Sequence, residues 1–163
     1  MSTGAVSPSA YPAFRVGIGY DSHRLVEGGR LVLGGVEVPH EKGLTGHSDA
    51  DVLTHAVIDA LLGATGLGDL GGLFPADDER WRDADSIDML RIAIGRLPGR
   101  PVNVDATVIC EQPRLEPHRA EMERRLSEAL SAPVSVKVTT NEGMGAIGRG
   151  EGIACVAVAL VET

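Results

Sequence analysis

The sequence predicts a two-layer fold of the α/β or α+β class. Three observations carry that prediction. The chain has 163 residues, 43% hydrophobic and 23% charged, the balance of a globular chain with enough apolar surface for one core. Alternating apolar runs interleave with helical ones, the pattern of a sheet covered by helices. No internal repeat, linker or low-complexity block interrupts them. Aromatics make up only 3%, so the core is expected to be aliphatic, and 21 glycines predict tight turns or close backbone approaches.

Residues 1–13 are rich in Ser, Ala and Pro, without a basic start or an apolar run. They read as a flexible extension and not as a signal peptide, leaving 14–163 as a single domain. Phe14 to Tyr20 alternates and reads as the first strand, ending at Asp21-Ser22-His23. Arg30 to Pro39 reads as a hairpin about Gly34-Gly35. Ser48 to Gly63 is the strongest helix. Ser48 or Asp49 can cap it, Val52, Ala56, Ala60 with Leu53, Val57, Leu61 form its apolar side, and Gly63 closes it. A Gly-rich loop follows to Pro75, then a polar acidic segment, Ala76 to Asp85, that reads as mobile. Asp85 or Ser86 caps a second helix to about Leu97, Pro101 to Ile109 is a strand, and Pro117 to Leu130 is a third helix with Pro117 in its first turn. Val134 to Thr139 and Gly150 to Val161 alternate as the last two strands.

Charge and cysteine usage narrow the function. Twenty-three acidic residues against 15 basic give a net charge of -8, which argues against a duplex nucleic-acid binder and, at first sight, against a phosphate-rich ligand. Cys110 and Cys155 each sit in an apolar β-like run and read as buried thiols of a cytoplasmic protein. The longest apolar stretch, Ile153 to Val161, is far short of the ~20 residues of a membrane span.

Three constellations carry chemistry. Asp21 and His23, two apart at a strand end, point to one face, where a carboxylate and an imidazole suit a divalent metal; alone the pair is a weak signal. Asp51, His55 and Asp59 are spaced by four and share a helical face. The rest of that helix is strongly apolar, so its polar stripe is expected to face a cleft and not open solvent. His55 with the strand pair makes two His and one Asp, and three ligands with an open fourth position is the pattern of a catalytic zinc. Asp51 or Asp59 either orients His55 or takes a helix-surface hydrogen bond. In the third constellation, Lys137 to Glu142, hydroxyls, backbone N–H groups and a carboxylate suit a phosphate with a hard cation; the bland alternative is a strand end where Thr serves β propensity. Gly143, Gly145 and Gly148 spell G-x-G-x-x-G, but a strand and not a helix with a further βαβ unit follows, which rejects a dinucleotide fold. No Walker, G-x-S-x-G or C-x-x-C motif is present.

The run GHSDADVLTHAVIDALLGATGLGDLGGLFP, Gly46 to Pro75, closely resembles the signature of the 2-C-methyl-D-erythritol 2,4-cyclodiphosphate synthase family. GIGYDSH at Gly17, VKVTTNEGMG at Val136 and GRGEGIA at Gly148 fall in that family's order and spacing. The resemblance implies a mixed four-stranded sheet with helices on one face, in a homotrimer whose sheets face the threefold axis and whose active sites lie between subunits. It implies zinc on Asp21, His23 and His55, and magnesium or manganese held on the substrate diphosphate by Glu142. His47 and Thr140 would stabilise the transition state. His47-Ser48 would lie against the methylerythritol phosphate, and Asp69 with Leu70-Gly71 against the erythritol hydroxyls. Cys110 to Glu116, Pro113, Arg114 and Leu115 among them, would form a cytidine pocket with Thr139 and Thr140. Phe74 and Pro75 with the loop residues Ala76, Asp77 and Asp78, and Asn141, Ala146 and Arg149, complete the implied substrate contacts.

Several residues depart from the family pattern. Ala76 stands where Asp is frequent and Arg114 where Lys is common, a planar fork in place of a point charge. Some members hold an isoprenoid diphosphate on the threefold axis near the position of Arg149. Val156 and Ile18 replace the Glu and His found in certain members, which predicts an apolar trimer core. The implied reaction is closure of the cyclic diphosphate with release of CMP. It resolves the charge puzzle: Asp21 and Glu142 recruit cations, and the cations meet the phosphates.

Overall fold

The computed structural model describes residues 13–163, and residues 1–12 of the expected extension lie outside them. The strands are β1 (Phe14–Glu27), β2 (Val32–Leu33), β3 (Val36–Glu37), β4 (Lys42–Thr45), β5 (Arg100–Ile109), β6 (Val134–Thr139) and β7 (Gly152–Glu162). The helices are α1 (Val52–Thr65), α2 (Leu70–Leu73), α3 (Ser86–Ile94), α4 (Arg119–Leu130) and α5 (Gly145–Gly148). The main sheet has five strands, not four, in the order β4-β1-β7-β5-β6. It is mixed: β1 runs antiparallel to β4 and β7, β5 antiparallel to β7, and β5 parallel to β6. The added strand, Lys-Gly-Leu-Thr, is too short to show alternation. It forms because β1 does not stop at Asp21-Ser22-His23 but runs on to Glu27, and its last residues pair with Lys42 to Thr45. None of the helices among the described residues is long and apolar enough to cross a membrane.

Helix α1 is buried almost all round, as its composition requires, and lies on β1 and β7. Two glycines set how close it comes. A Cβ on Gly17 would stand 2.0 Å from the Ala60 carbonyl oxygen, and one on Gly19 would stand 1.9 Å from that of Ala56. Strand and helix backbones therefore touch, and this contact sets His55 beside Asp21.

The start of α1 differs from the sequence expectation. Asp51, not Ser48 or Asp49, is the N-cap and accepts from the Thr54 amide at 2.9 Å, while Gly66 in the left-handed conformation ends the helix three residues beyond Gly63. Residues 48–50 are drawn off the helical path because Asp49 binds elsewhere: its amide donates to the Ala84 carbonyl at 3.2 Å and its carboxylate accepts from the Ser86 amide at 2.8 Å. Asp85 caps α3 as expected, through the Ile87 and Asp88 amides, although α3 ends at Ile94, short of Leu97. Pro117 lies in a 3-10 turn, Glu116–His118, that leads into α4. The β2–β3 hairpin turns at Gly34-Gly35, both with positive φ of 59° and 70°, as a tight primed turn demands. The polar segment after Pro75 holds a 3-10 turn at Glu79–Trp81, and the Asp83 amide ties it back to the His47 carbonyl.

The face of β1 turned away from α1 carries Phe14, Val16, Ile18 and Tyr20, all well exposed, with Ile18 at 70%. Four apolar side chains in a row thus stand on one open face of the sheet. Both cysteines are free and buried, as expected. Burial pushes the Cys110 thiol up to about 12 and raises that of Cys155 as well.

Candidate active site

Strand β1 presents Asp21 and His23 on one face, and α1 lowers His55 onto them. Asp21 Oδ2 lies 3.1 Å from His23 Nε2 and 3.1 Å from His55 Nδ1. One ligand atom from each of the three residues falls within 4.8 Å of the others. A carboxylate and two imidazoles converging at that spacing fit a metal ion, so the expected triad is assembled by the fold. Burial works against ionising Asp21, but hydrogen bonds from His23 and His55 outweigh it and hold the carboxyl well below the usual range. Burial likewise opposes charge on His55, and the carboxylates of Asp21, Asp51 and Asp49 overcome it and raise its pKa.

Neither Asp51 nor Asp59 orients His55. Asp51 points into the core, bonded to the Gly34 and Gly35 amides, and Asp59 accepts from the Leu70 amide at 2.6 Å. The second nitrogen of His55, Nε2, instead meets Ser48 Oγ at 3.1 Å, with Asp49 Oδ1 4.0 Å away. The polar stripe of α1 is thus split between the cleft, the core and the α2 loop. Sequence spacing reports a shared helical face but not what each position of that face meets.

His55, Asp21 and His23 line a cleft of about 240 Å³ together with His47, Ser48, Leu70, Gly71, Phe74 and Ala76, and with Trp81 and Met89. The last two were not foreseen. Met89 lies within the second expected helix, where no role was assigned to it, and Trp81 within the polar segment; only the packing of Trp81 edge-on against Phe74, with centroids 4.8 Å apart, brings it in. Its Nε1 is a buried donor without a partner among the described residues. His47 Nε2 donates to the Asp78 carbonyl at 3.2 Å, leaving Nδ1 for a ligand. Asp69 caps α2 through the Gly72 amide, Asp78 binds Arg80, and neither they, Pro75 nor Asp77 lines this cleft.

A second cleft, about 530 Å³, is lined by Cys110, Pro113, Arg114, Leu115, Glu116, Thr139 and Thr140. The expected cytidine residues therefore do lie together, at the paired ends of β5 and β6. Beside it, Thr140 Oγ1 donates to Glu142 Oε1 at 3.2 Å. The backbone N–H groups expected to meet a phosphate here are largely taken: Glu111 Oε1 accepts from the Asn141 amide at 2.6 Å and the Gly143 amide at 3.5 Å. Glu111 carried no motif, and its role is visible only because β5 and β6 end side by side. Asn141 Nδ2 donates to the Met144 carbonyl and Ala146 lies in α5, outside both clefts. Arg149 is paired with Glu151 and lines a third cleft, of about 470 Å³. The glycine run at Gly143 serves a backbone contact, since a Cβ on Gly148 would stand 2.3 Å from the Gly143 carbonyl carbon.

The family model of the YgbB family matches residues 14–162. This chain belongs to the YgbB family. This YgbB chain is 56% identical over 155 residues to the 2-C-methyl-D-erythritol 2,4-cyclodiphosphate synthase of Salinibacter ruber, covering 91% of this chain and 99% of that one. It is 57% identical over 157 residues to the enzyme of the same name from Rubrobacter xylanophilus, covering 91% and 95%. Among solved structures, a 2C-methyl-D-erythritol-2,4-cyclodiphosphate synthase in a CDP-bound form superposes with a TM-score of 0.82 at 37% identity, covering 91% of this chain and all of that one. The bifunctional IspDF of Campylobacter jejuni gives 0.89 at 36% identity, matching 96% of the YgbB chain but 44% of that longer protein.

Proposed function

We propose that this chain is a 2-C-methyl-D-erythritol 2,4-cyclodiphosphate synthase, one domain spanning residues 14–163 that acts in the cytoplasm. The substrate is 4-diphosphocytidyl-2-C-methyl-D-erythritol 2-phosphate. The observation that carries this reading is the Asp21, His23, His55 cluster, set in one cleft with His47 and Ser48, in a chain more than half identical to enzymes of that name. In the reaction an oxygen of the 2-phosphate attacks the β-phosphorus, the bond from that phosphorus to the bridging oxygen breaks, and CMP leaves with that oxygen. No water is consumed. A phosphate monoester with a second pKa near 6 is already largely dianionic at neutral pH, so the chain needs positioning and charge stabilisation more than a strong base.

Two imidazoles and one carboxylate with room for a fourth ligand favour zinc at the Asp21 cluster, and Glu142 offers a hard carboxylate for magnesium or manganese. When bound, such cations polarise the diphosphate and stabilise the departing oxygen. The chain's own residues do the rest. His47 and Ser48 hold the 2-phosphate end, Asp69 with its loop holds the erythritol hydroxyls, and the Cys110–Glu116 stretch with Thr139 holds the cytidine. Thr140 supplies a hydroxyl to a phosphoryl oxygen as charge shifts onto it.

Register places the two halves of this machinery apart within one protomer. Asp21, Cys155, Val108 and Val138 are partners across β1, β7, β5 and β6, so Asp21 and the Thr140 end are separated by about 14 Å at ~4.8 Å per strand. Cations that far apart cannot share one diphosphate. This separation, with the apolar row Phe14, Val16, Ile18 and Tyr20 available for burial, supports a homotrimer with active sites between subunits. Co-expressed His55→Ala and Glu142→Ala chains test it. If neighbours share a site, random assembly restores roughly a quarter of the wild-type sites; no recovery means that each protomer works alone.

Thr140→Val is expected to lower kcat by about 100-fold, the scale for losing one transition-state donor, with an unchanged unfolding midpoint; an unchanged kcat removes Thr140 from the chemistry. The reading as a whole is tested by supplying the diphosphocytidyl substrate with Zn2+ and Mg2+ and following products by phosphorus NMR and mass spectrometry. Equal amounts of CMP and a cyclic diphosphate without added water support it. A ring-opened product carrying the elements of water points to a hydrolase on the same scaffold, and no CMP at all to a binding protein.

A further inference from the structure

We propose that Glu111 is a positioning residue whose carboxylate presents Glu142 to the active site. The inference rests on the reading of Glu142 as the holder of the second cation. Glu142 sits in an awkward place: its φ is 52°, left-handed backbone in a residue with a Cβ, and Gly143 follows at 73°. That geometry is disfavoured unless its surroundings hold it. Successive residues in such a turn point their amides inward as a concavity suited to an anion. Here the anion belongs to the chain itself. Glu111 Oε1 accepts from the amides on either side of Glu142, Asn141 at 2.6 Å and Gly143 at 3.5 Å, while the Glu142 amide turns to Thr140 Oγ1 at 3.4 Å.

Glu111 reaches this turn because β5 and β6 are parallel and end level, Ile109 opposite Thr139, and the Cys110 amide continues the pairing to the Thr139 carbonyl at 2.9 Å. The first residue beyond that last bond on β5 is thereby set next to the turn that leaves β6. With its amides occupied, the turn cannot relax toward an ordinary φ without breaking both bonds. The Glu142 carboxylate is left exposed beside Thr140, partnered by the threonine hydroxyl. A carboxylate is the fitting group for this task because it only accepts, and one oxygen can take two N–H donors.

The test measures cation binding and not turnover. Mn2+ affinity would be followed by electron paramagnetic resonance on the intact zinc-loaded protein with CDP as the nucleotide probe. Glu111→Ala is expected to weaken Mn2+ binding about tenfold, the lower end of what supporting residues contribute at metal sites, with zinc content unchanged. Glu111→Gln, which keeps an acceptor oxygen, is expected to restore most of the affinity. It also covers the case in which the alanine variant fails to fold. The double variant with Glu142→Ala should bind Mn2+ no more weakly than Glu142→Ala alone, because Glu111 acts only through Glu142. The downfield amide-proton signal of Asn141 should move upfield in Glu111→Ala. Parental Mn2+ affinity in Glu111→Ala, alongside a loss in Glu142→Ala, overturns the positioning role. Further weakening in the double variant overturns it too, by giving Glu111 a contact of its own. Parental affinity in Glu142→Ala overturns the cation reading on which it stands.

Discussion

His55→Ala is expected to leave a folded protein that neither retains zinc nor turns over. The ring is buried between Asp21 and Ser48, with Nδ1 3.1 Å from the Asp21 carboxylate and Nε2 3.1 Å from the Ser48 hydroxyl. Nδ1 is therefore the nitrogen that joins Asp21 and His23, and Ser48 fixes the ring's orientation from behind. Removing a residue that only supports a ligand costs roughly 10- to 100-fold in affinity or activity, and removing a ligand itself costs more. Metal analysis of the purified variant reads the first loss, and CMP release reads the second. Stoichiometric zinc in His55→Ala would remove it from the ligand set. Ser48→Ala should fall between parent and His55→Ala in zinc affinity, since it loosens the ring and deletes no ligand.

Asp51→Ala is the change expected to cost most in stability. Asp51 is fully buried and takes five hydrogen bonds: from the Gly34, Gly35 and Thr54 amides at 2.9, 2.8 and 2.9 Å, and from the Thr54 and Ser86 hydroxyls at 2.8 and 2.9 Å. It caps α1 and ties the hairpin turn and the start of α3 to it, so three elements distant in the chain meet on one carboxylate. Alanine would leave the two glycine amides and the cap unpaired in a low-dielectric interior. Each buried donor left unpaired costs about 1–3 kcal/mol, so the total is a large share of the roughly 5–15 kcal/mol that holds a domain folded. Urea unfolding would read it. A loss below ~1 kcal/mol would mean that the site refills with water or rearranges. The loss should persist after chelator treatment, because the five hydrogen bonds of the Asp51 carboxylate go to Gly34, Gly35, Thr54 and Ser86 and none to the His55 ring, and this separates it from the His55 result.

Much of the candidate site was legible in the chain. Asp21 and His23 lie two apart on a strand and His55 lies on a helix of unmistakable apolar pattern. Both periodicities are local, so each residue's face follows from its neighbours in sequence. The alternation of Val134 to Thr139 and the Asp85 cap were legible for the same reason. The role of Asp51 was not. Spacing put it with His55 and Asp59 on one helical face, but at a helix start the chain has not yet taken up helical geometry, so that face ended at the cap. The four residues of β4 were equally opaque, because a strand that short exists only through the pairing that β1 offers it.

The sequence by itself determined the two-layer class, the longer strands and helices, the residue types that could hold a metal and the family they resemble; the short elements β4, α2 and α5 it did not. All of these depend on side chains close together in the chain or on blocks in a fixed order. The tertiary structure alone decided which nitrogen of His55 faces Asp21, that Ser48 and not Asp51 stands behind it, that Trp81 enters the cleft, and that Glu111 takes the amides beside Glu142. Asp21 and His55 lie 34 residues apart and Glu111 and Asn141 30 apart; they are brought together by the way α1 settles on Gly17 and Gly19 and by the level ends of β5 and β6, and no local pattern encodes either. Ser48 and Trp81 meet partners only seven residues away, but along irregular chain whose course no helix or strand period sets.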